Sequence, residues 1–238
     1  AVLVRDEAKH RQTSAGQPWL LTSDPERFFS VPADLVVEAA GHEGLRSYAI
    51  PSLLAGRDYL TVSVGAFADD DLLARVKEAA ASSGRRVMVP SGAIGGLDAV
   101  SAGAVGGLES VTITTRKPPK AWKGTVAEGQ LDLDSVTEPV CIYEGSAREA
   151  ARLYPQNVNV QAALALAGIG MDRTSSRVFA DPTVQLNTHE IVARGAFGEV
   201  RITIANVPSD ESPKTGRITA MSVIKAIRNL TAPVVIGL

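Results

Sequence analysis

The feature that most constrains this chain is a regular alternation of short apolar runs with helical patterns over its first 97 residues. Apolar runs typical of buried strands lie at 1–4, 34–40, 59–64 and 86–89. Helical patterns lie between them at 43–55 and 69–83, the second of which is clearly amphipathic. Strands that alternate with helices at this interval predict right-handed β-α-β units around a parallel sheet.

The pattern changes in the second part of the chain, where apolar and polar residues alternate. This alternation predicts half-buried strands of an open antiparallel sheet at 109–115, 139–144, 177–180, 190–194 and 200–205. Helical patterns follow at 97–105, 146–153, 158–167 and 215–230, with a short strand predicted at 233–236. The chain thus changes from a parallel α/β to an α+β pattern.

We therefore predict an α/β chain of two domains. Residues 1–97 form a Rossmann-like, doubly wound parallel sheet, and 98–210 form an α+β domain with a mostly antiparallel sheet. Residues 211–238 are expected to pack back on the first domain. The length of 238 residues is sufficient for two such domains.

A glycine-rich phosphate loop is missing from the predicted nucleotide-binding domain. No Gly-x-Gly-x-x-Gly segment follows a predicted strand, and Gly168 and Gly170 follow a helix that they are expected to cap. If the run 1–4 is the second strand of the fold, the first strand and its loop would precede residue 1. We therefore expect a chain that is truncated at its N-terminus. Arg5 and Asp6 would then end strand two, where an acidic residue favours NAD and an arginine favours NADP. Having both leaves that choice open, and a plain surface role is equally compatible.

Small residues occupy three predicted strand ends, at 38–41, 63–66 and 90–96. In parallel sheets, ligands bind beyond these carboxyl ends, and small residues let a flat cofactor approach the backbone. One such segment is adequately explained as a tight turn. Three at successive strand ends favour a nucleotide crevice.

Charge and composition exclude several other classes. The net charge of −2 gives no general attraction to nucleic acid or anionic membranes, and no run approaches the roughly 20 apolar residues of a membrane span. The single cysteine, Cys141, excludes an internal disulfide, and its apolar neighbours predict a buried thiol. The start of the chain does not have the pattern of a signal peptide. We expect a cytoplasmic protein without a metal site.

The basic residues near position 120 have two interpretations. They are predicted first to form a solvated loop, because two prolines interrupt them, and second to form the wall of an anion-binding site: Arg116, Lys117, Lys120 and Lys123.

Only three histidines are available for proton transfer near neutral pH. His10 lies in a polar segment and is expected to be exposed. His42 follows a strand end and is expected to begin a helix, with a place at the crevice as the alternative. His189 lies between two predicted strands and is the candidate for acid–base chemistry. No second ligand stands near it at the spacing of a metal site.

Six segments, in the same order along the chain, resemble hallmarks of the L-aspartate dehydrogenase family. They are 90–98 (Pro-Ser-Gly-Ala-Ile-Gly-Gly-Leu-Asp), 115–119, 143–147, 155–160, 180–182 with His189, and 206–209 with 213–215. A single segment of this kind is only suggestive. Six collinear segments are a strong signal.

This resemblance implies an NAD- or NADP-dependent enzyme that deaminates L-aspartate oxidatively. Its product, iminosuccinate, hydrolyses to oxaloacetate and ammonia or feeds NAD biosynthesis, and the family commonly forms homodimers. Matched position by position, the resemblance implies that His189 is catalytic. It also implies that the cofactor is bound by Ala93 and Asn159 and lined by Ala39, Ser63 and Val64.

A mechanism follows as a hypothesis. A neutral His189 takes the amine proton or activates the water that attacks the imine, and cationic groups or backbone amides bind the two carboxylates. The candidates for these carboxylates are Lys117, Arg116, the amides of Ser91 and Gly92, and, with less support, Arg173 and Lys214. Two alternatives stay open: a related two-domain amino-acid or semialdehyde oxidoreductase, and a non-catalytic nucleotide-binding or dimerisation protein.

Overall fold

The computed structural model describes residues 1–155, 159–209 and 215–237. Within these ranges the strands are β1 (Val2–Leu3), β2 (Leu21–Thr22), β3 (Leu35–Glu38), β4 (Asp58–Thr61), β5 (Val87–Met88), β6 (Leu108–Lys117), β7 (Val140–Ser146), β8 (Ser175–Ala180), β9 (Asn187–Gly195) and β10 (Gly198–Asn206). The α-helices are α1 (Glu7–Ser14), α2 (Pro25–Ser30), α3 (His42–Leu54), α4 (Asp70–Ser83), α5 (Leu97–Gly106), α6 (Ala147–Leu153), α7 (Asn159–Ala167) and α8 (Ile218–Asn229).

The strands of the first half are parallel. Strands β3, β4 and β5 form a three-stranded parallel sheet in that order, and β1 and β2 form a separate parallel pair. Together with the intervening helices, this is the α/β architecture predicted for the first domain. The predicted parallel sheet is thus divided into two.

The strands of the second half form one five-stranded sheet in the order β10-β9-β6-β8-β7. Three of its four neighbouring pairs are antiparallel, and β6 with β8 is the parallel pair. The predicted α+β part with a mostly antiparallel sheet is therefore confirmed.

Helix α4 shows how the sequence specifies an element of the first half. The Asp69 side chain accepts a hydrogen bond from the backbone N–H of Leu72, and acidic residues follow in the first turn. Its apolar face buries Leu72, Val76 and Ala79. Gly84, with a φ of 63°, ends the helix in a left-handed conformation that favours glycine.

Helix α7 packs into two hydrophobic cores. Ala162, Ala163 and Ala165 belong to the core built around α3 and α4. Val160 and Leu164 belong to the core between α5 and the five-stranded sheet. This helix therefore joins the first half of the chain to the sheet of the second half. As predicted, it is capped by Gly170, whose backbone N–H donates to Ala165 O.

Local structure differs from the predictions in several places. The segment after β1, for which no helix or strand was predicted, contains α1, β2 and α2. Its helices begin at the aspartate caps Asp6 and Asp24 and have little apolar periodicity. Residues 233–236 form no strand, and Val234 in that segment is 74% exposed. Cys141 is exposed rather than buried; it lies on the edge strand β7, where the register with β8 shifts between Cys141 and Tyr143.

The last helix contacts the loop that follows β5. The backbone N–H of Gly92 donates to Ser222 Oγ at 3.1 Å, which places α8 against the end of the parallel sheet. The domain bounds 1–97 and 98–210 stay a prediction. Along the described ranges, none of the helices has both the length and the apolar character that crossing a bilayer requires.

Candidate active site

A cavity of about 1070 Å³ lies where the carboxyl ends of β3 and β4 face the five-stranded sheet. Ligand pockets usually have volumes of about 300–1,000 Å³, so this one has room for a large ligand. Its lining brings together all six residues proposed from the sequence: Ala39, Ser63, Val64, Ala93, Asn159 and His189. A smaller cavity of about 430 Å³, beside β7 and β8, is lined by none of them.

A buried carboxylate organises the strand ends on one side of the cavity. Glu38 Oε1 accepts hydrogen bonds from the backbone N–H of Ala40 and Gly41, at 2.6 and 3.0 Å, and from Ser63 Oγ at 2.9 Å. Ser63 Oγ in turn accepts from the N–H of Gly41 at 3.1 Å. The sequence analysis did not single out Glu38, although a lone acidic residue in an apolar run was a usable signal.

Asn159 ties the start of α7 to the loop after β4. Its Oδ1 accepts a hydrogen bond from the backbone N–H of Gly65 at 2.9 Å and lies 3.1 Å from His42 Nε2. A Cβ at Gly65 would lie 2.7 Å from each of these two side-chain atoms, so any larger residue there would displace Asn159 or His42. His42 begins α3 as predicted and also contacts Asn159. The contacts of Gly65 and His42 with Asn159 were not predicted from the sequence.

His189 lies on β9, an interior strand of the five-stranded sheet, and not between two strands as predicted. It pairs with Thr115 on β6 and with Ile204 on β10, and only 3% of it is exposed. Its Nδ1 lies 3.0 Å from Thr115 Oγ1. Burial, and to a lesser extent the charge of Lys117, lowers the pKa of His189 to about 3. The imidazole is therefore neutral across the physiological pH range.

Gln161 extends this contact into the protein. It is fully buried on α7, and its Nε2 donates to Thr115 Oγ1 at 3.0 Å. Because Asn159 and Gln161 are two positions apart on a helix, they point to different sides of α7. One reaches the loop after β4 and the other reaches β6. Sequence reasoning missed Gln161, since a single glutamine in an alanine-rich helix carries no motif.

The basic residues near position 120 divide into two groups. Lys120 and Lys123 are exposed, as the solvated-loop interpretation predicts. That interpretation is wrong for Lys117, which is only 2% exposed because β6 continues to it; it lines the cavity with Nζ 5.3 Å from the centre of the Trp122 ring. Its position agrees with the anion-site interpretation. Arg116 points elsewhere: it pairs with Asp181 at 3.1 Å.

The other proposed carboxylate ligands are distributed unevenly. Ser91 and Gly92 line the cavity, although the Gly92 amide already donates to Ser222 Oγ. Arg173 is exposed, and Lys214 lies outside the described residues. The cavity-lining polar residues that were not anticipated include Asn187, Arg217 and Thr219. Within the described ranges, histidine, cysteine and acidic side chains form no group of three that is able to hold a metal ion.

Comparison with known proteins gives two family matches. Residues 1–90 match the NAD-binding domain described for homoserine dehydrogenase. Residues 98–230, more than half of the chain, match the C-terminal domain described for aspartate dehydrogenase. The chain belongs to the aspartate dehydrogenase family. The family predicted from the six collinear segments is therefore confirmed.

Individual relatives agree with this assignment. The chain is 44% identical over 231 residues to the L-aspartate dehydrogenase of Ralstonia pickettii, covering 96% of this chain and 86% of the relative. It is 44% identical over 227 residues to that of Pseudomonas aeruginosa, covering 94% and 83%. Among solved structures, the aspartate dehydrogenase of Thermotoga maritima superposes with a TM-score of 0.77 at 30% identity, covering 92% of this chain and 83% of that one.

These findings make the protein an NAD- or NADP-dependent oxidoreductase of the amino-acid dehydrogenase class, which acts on a CH–NH₂ group. The cavity fits such a cofactor. It is lined at the strand ends by small residues, among them Ala39, Gly41, Ser63 and Gly92, which leave the backbone accessible to a flat ring.

Proposed function

We propose that this protein catalyses the oxidative deamination of L-aspartate to iminosuccinate, with His189 as the group that handles the proton. The observation that carries the proposal is the joint position of His189 and Lys117. A neutral imidazole and a buried ammonium line the same large cavity, next to the loops at the ends of the parallel strands. A proton acceptor beside a cation is what a dicarboxylic amino acid requires.

The cofactor positions in this proposal are Ala93 and Asn159, with Ala39, Ser63 and Val64 along the strand ends. The bound nicotinamide would accept the hydride from the substrate Cα. Ala93 is held in place because Asn206 Nδ2 donates to its carbonyl oxygen at 2.8 Å. Asn159 is held by Gly65 and His42. Both positions are therefore rigid, as a site that orients a ring requires.

The role proposed for His189 follows from its neutral state. The substrate amine must lose its proton before hydride can leave. The uncharged imidazole has a lone pair that accepts this proton, provided that the negative charge of the bound dicarboxylate raises the pKa of the ring above its resting value of about 3. The same ring is able to take the proton of the water that attacks the imine. Burial in the sheet fixes the ring, so the proton acceptor has a defined position relative to the cavity.

Lys117 is proposed to bind a substrate carboxylate. A carboxylate in the cavity would form a charge-assisted hydrogen bond with Lys117, and a substrate without that carboxylate would not form it. Arg217, at the start of α8, and Asn187 line the same cavity and are proposed to bind the second carboxylate. This arrangement favours aspartate over monocarboxylic amino acids.

Two further parts of the proposal rest on the family resemblance: a role of the product in NAD biosynthesis and assembly as a homodimer. A location in the cytoplasm is proposed as the default expectation from the composition of the chain. The division into a nucleotide-binding part, 1–97 with 211–238, and a catalytic part, 98–210, is proposed on the element pattern.

The test is to follow the absorbance of reduced nicotinamide with L-aspartate, L-glutamate, L-alanine and L-homoserine, each with NAD and with NADP. We expect turnover with L-aspartate and a KM that rises at least about tenfold in Lys117→Met, the loss expected for one charge-assisted contact. The matched control is Lys120→Met, which removes an exposed lysine of the same segment. Turnover with another amino acid but not with aspartate would contradict the substrate. Calorimetric binding of NAD without any turnover would favour a non-catalytic protein.

A further inference from the structure

Three buried side chains, those of His189, Thr115 and Gln161, form a hydrogen-bonded line that leads away from the cavity. Gln161 Nε2 and His189 Nδ1 each lie 3.0 Å from the hydroxyl oxygen of Thr115. Gln161 and Thr115 are fully buried, and His189 is nearly so. The line joins α7, β6 and β9, so its geometry is fixed by the packing of three elements.

The protons of this line can be assigned from its donors. A carboxamide nitrogen only donates, so the Thr115 oxygen accepts from Gln161. A hydroxyl has a single proton, and the other neighbour of this hydroxyl is Nδ1 of His189. We infer that Gln161 is a positioning residue which, through the Thr115 hydroxyl, holds the proton of the neutral His189 ring on Nε2.

A buried atom without a partner supports a second arrangement of the same line. Gln161 Oε1 is the other end of the carboxamide, and among the described residues it has no hydrogen-bond partner. A half-turn of the carboxamide exchanges its oxygen and nitrogen at nearly the same positions. Gln161 Oε1 then accepts a hydrogen bond from the Thr115 hydroxyl, and the Thr115 oxygen accepts one from Nδ1–H of His189. The Nε2 atom of His189 then has a free lone pair. Each arrangement leaves one end of the amide unpaired, and the first is the one that the structure shows at rest.

The two arrangements present different chemistry to the cavity. In the first, His189 offers an N–H donor that suits an anionic oxygen. In the second, Nε2 of His189 is able to accept a proton. The resulting imidazolium still donates from Nδ1–H to Thr115, and Thr115 donates to Gln161 Oε1. Proton uptake at Nε2 therefore requires the half-turn of Gln161. This consequence rests on the proposed function, whereas the assignment of the resting proton does not.

The charged surroundings of the ring do not select between its two nitrogens. The charged residues that line the cavity with His189, among those described, are Lys117 from β6 and Arg217 from the start of α8. Strand β10 contributes Ile204 opposite the ring, and α7 contributes the uncharged Gln161. The charge of Lys117 disfavours the imidazolium but permits either neutral form. The choice is left to the hydrogen bonds at Nδ1.

The test is nitrogen NMR of the ¹⁵N-histidine-labelled protein without ligand at pH 8. The His189 resonances are those that disappear in His189→Asn. In the wild type we expect an unprotonated Nδ1 and a protonated Nε2. Gln161→Glu, whose carboxylate only accepts, is expected to shift the ratio of the two forms toward Nδ1–H by about tenfold or more, the effect of one charge-assisted hydrogen bond.

Two further variants check that the effect passes through the hydroxyl. In a Thr115→Val background, Gln161→Glu is expected to leave the ratio unchanged. Gln161→Met, which neither donates nor accepts, is expected to populate both forms and serves if the glutamate variant does not fold. A proton on Nδ1 in the wild type, or the same ratio in wild type and Gln161→Glu, would overturn the inference. Because no substrate is present, a failed dehydrogenase assay does not affect this result.

Discussion

Thr115 and His189 lie directly opposite each other on neighbouring strands, and the hydroxyl oxygen of Thr115 is 3.0 Å from the Nδ1 atom of His189. The register of an antiparallel pair thus sets the orientation of the proposed proton acceptor. A shift of one residue would turn the imidazole to the other face of the sheet. The position of His189 is a property of the whole sheet rather than of a flexible loop.

Removal of the His189 side chain tests its catalytic role. We expect His189→Ala to lower kcat by about 10²–10⁴-fold, the usual contribution of general acid–base catalysis, while the fold is retained. Steady-state kinetics and circular dichroism measure the two effects. The control is His10→Ala, which changes a histidine on the exposed helix α1 and is expected to leave kcat unchanged. Equal rates for His189→Ala and wild type would remove His189 from the mechanism.

Gly65→Ala tests the close approach of the loop after β4 to Asn159. The added methyl group would lie 2.7 Å from both Asn159 Oδ1 and His42 Nε2, so these side chains must move. We expect the free energy of unfolding to fall by about 1–3 kcal/mol, the typical cost of overpacking, and the Kd for the dinucleotide to rise. Chemical denaturation and calorimetry provide the measurements. Gly106→Ala is the matched control, since an added Cβ there meets nothing within 4 Å.

The lowered pKa of His189 predicts how stability depends on pH. Its folded-state pKa of about 3 lies below the ordinary value of 6.5, so below pH 6.5 the unfolded chain binds a proton that the folded protein excludes. The contribution of the neutral ring to stability is complete above pH 6.5 and is lost as pH falls toward 3. The slope is about 1.4 kcal/mol per pH unit for one proton.

Denaturation of wild type and His189→Asn at several pH values between 6 and 4.5 isolates this slope. Other groups, such as Asp58 and Asp181 with their lowered pKa values, contribute equally to both proteins. The difference in the free energy of unfolding between wild type and His189→Asn is expected to shrink as pH falls. Parallel curves would show that His189 titrates normally in the folded protein.

Arg148 links α6 to the nucleotide-binding half through several charged hydrogen bonds. Its guanidinium pairs with Asp172 at 2.6 and 2.8 Å and with Asp70 at 3.1 Å, and it donates to the carbonyl oxygen of Ala68 at 2.6 Å. We expect Arg148→Met to lower the free energy of unfolding by about 1–3 kcal/mol, the range for hydrogen bonds to charged groups. In the control Arg75→Met, an exposed pair with Asp71 is lost and little change is expected. Thermal denaturation that ranks the two variants equally would contradict this.

Elements with strong periodicity were predictable from the sequence. Helix α4 was expected at 69–83 and spans Asp70–Ser83, and the alternating segment expected at 109–115 is part of β6. These elements each bury one continuous apolar face, which leaves a regular pattern. Helices α1 and α2 were missed because α2 has no buried residue and α1 is almost entirely polar. Their only sequence signals are the two capping aspartates.

The candidate site was predictable only where a motif was present. The resemblance to the family named six residues, and all of them line one cavity. Glu38, Gly65 and Gln161 act through contacts with residues far away in sequence, such as Gln161 with Thr115, 46 positions apart. Lys117 was first interpreted as solvated because two prolines follow it, yet the strand pairing of β6 buries it. Long-range pairing of this kind leaves no trace in local composition.

Helix α7 has one mechanical consequence. Its residues belong to two hydrophobic cores at once. Moving the two halves of the protein apart would therefore expose buried apolar contacts on one side of the helix or the other. The packing of this helix therefore opposes a rigid-body separation of the two halves. Because Asn159, Val160 and Ala163 of α7 also line the cavity, the same packing sets the width of the cavity on that side.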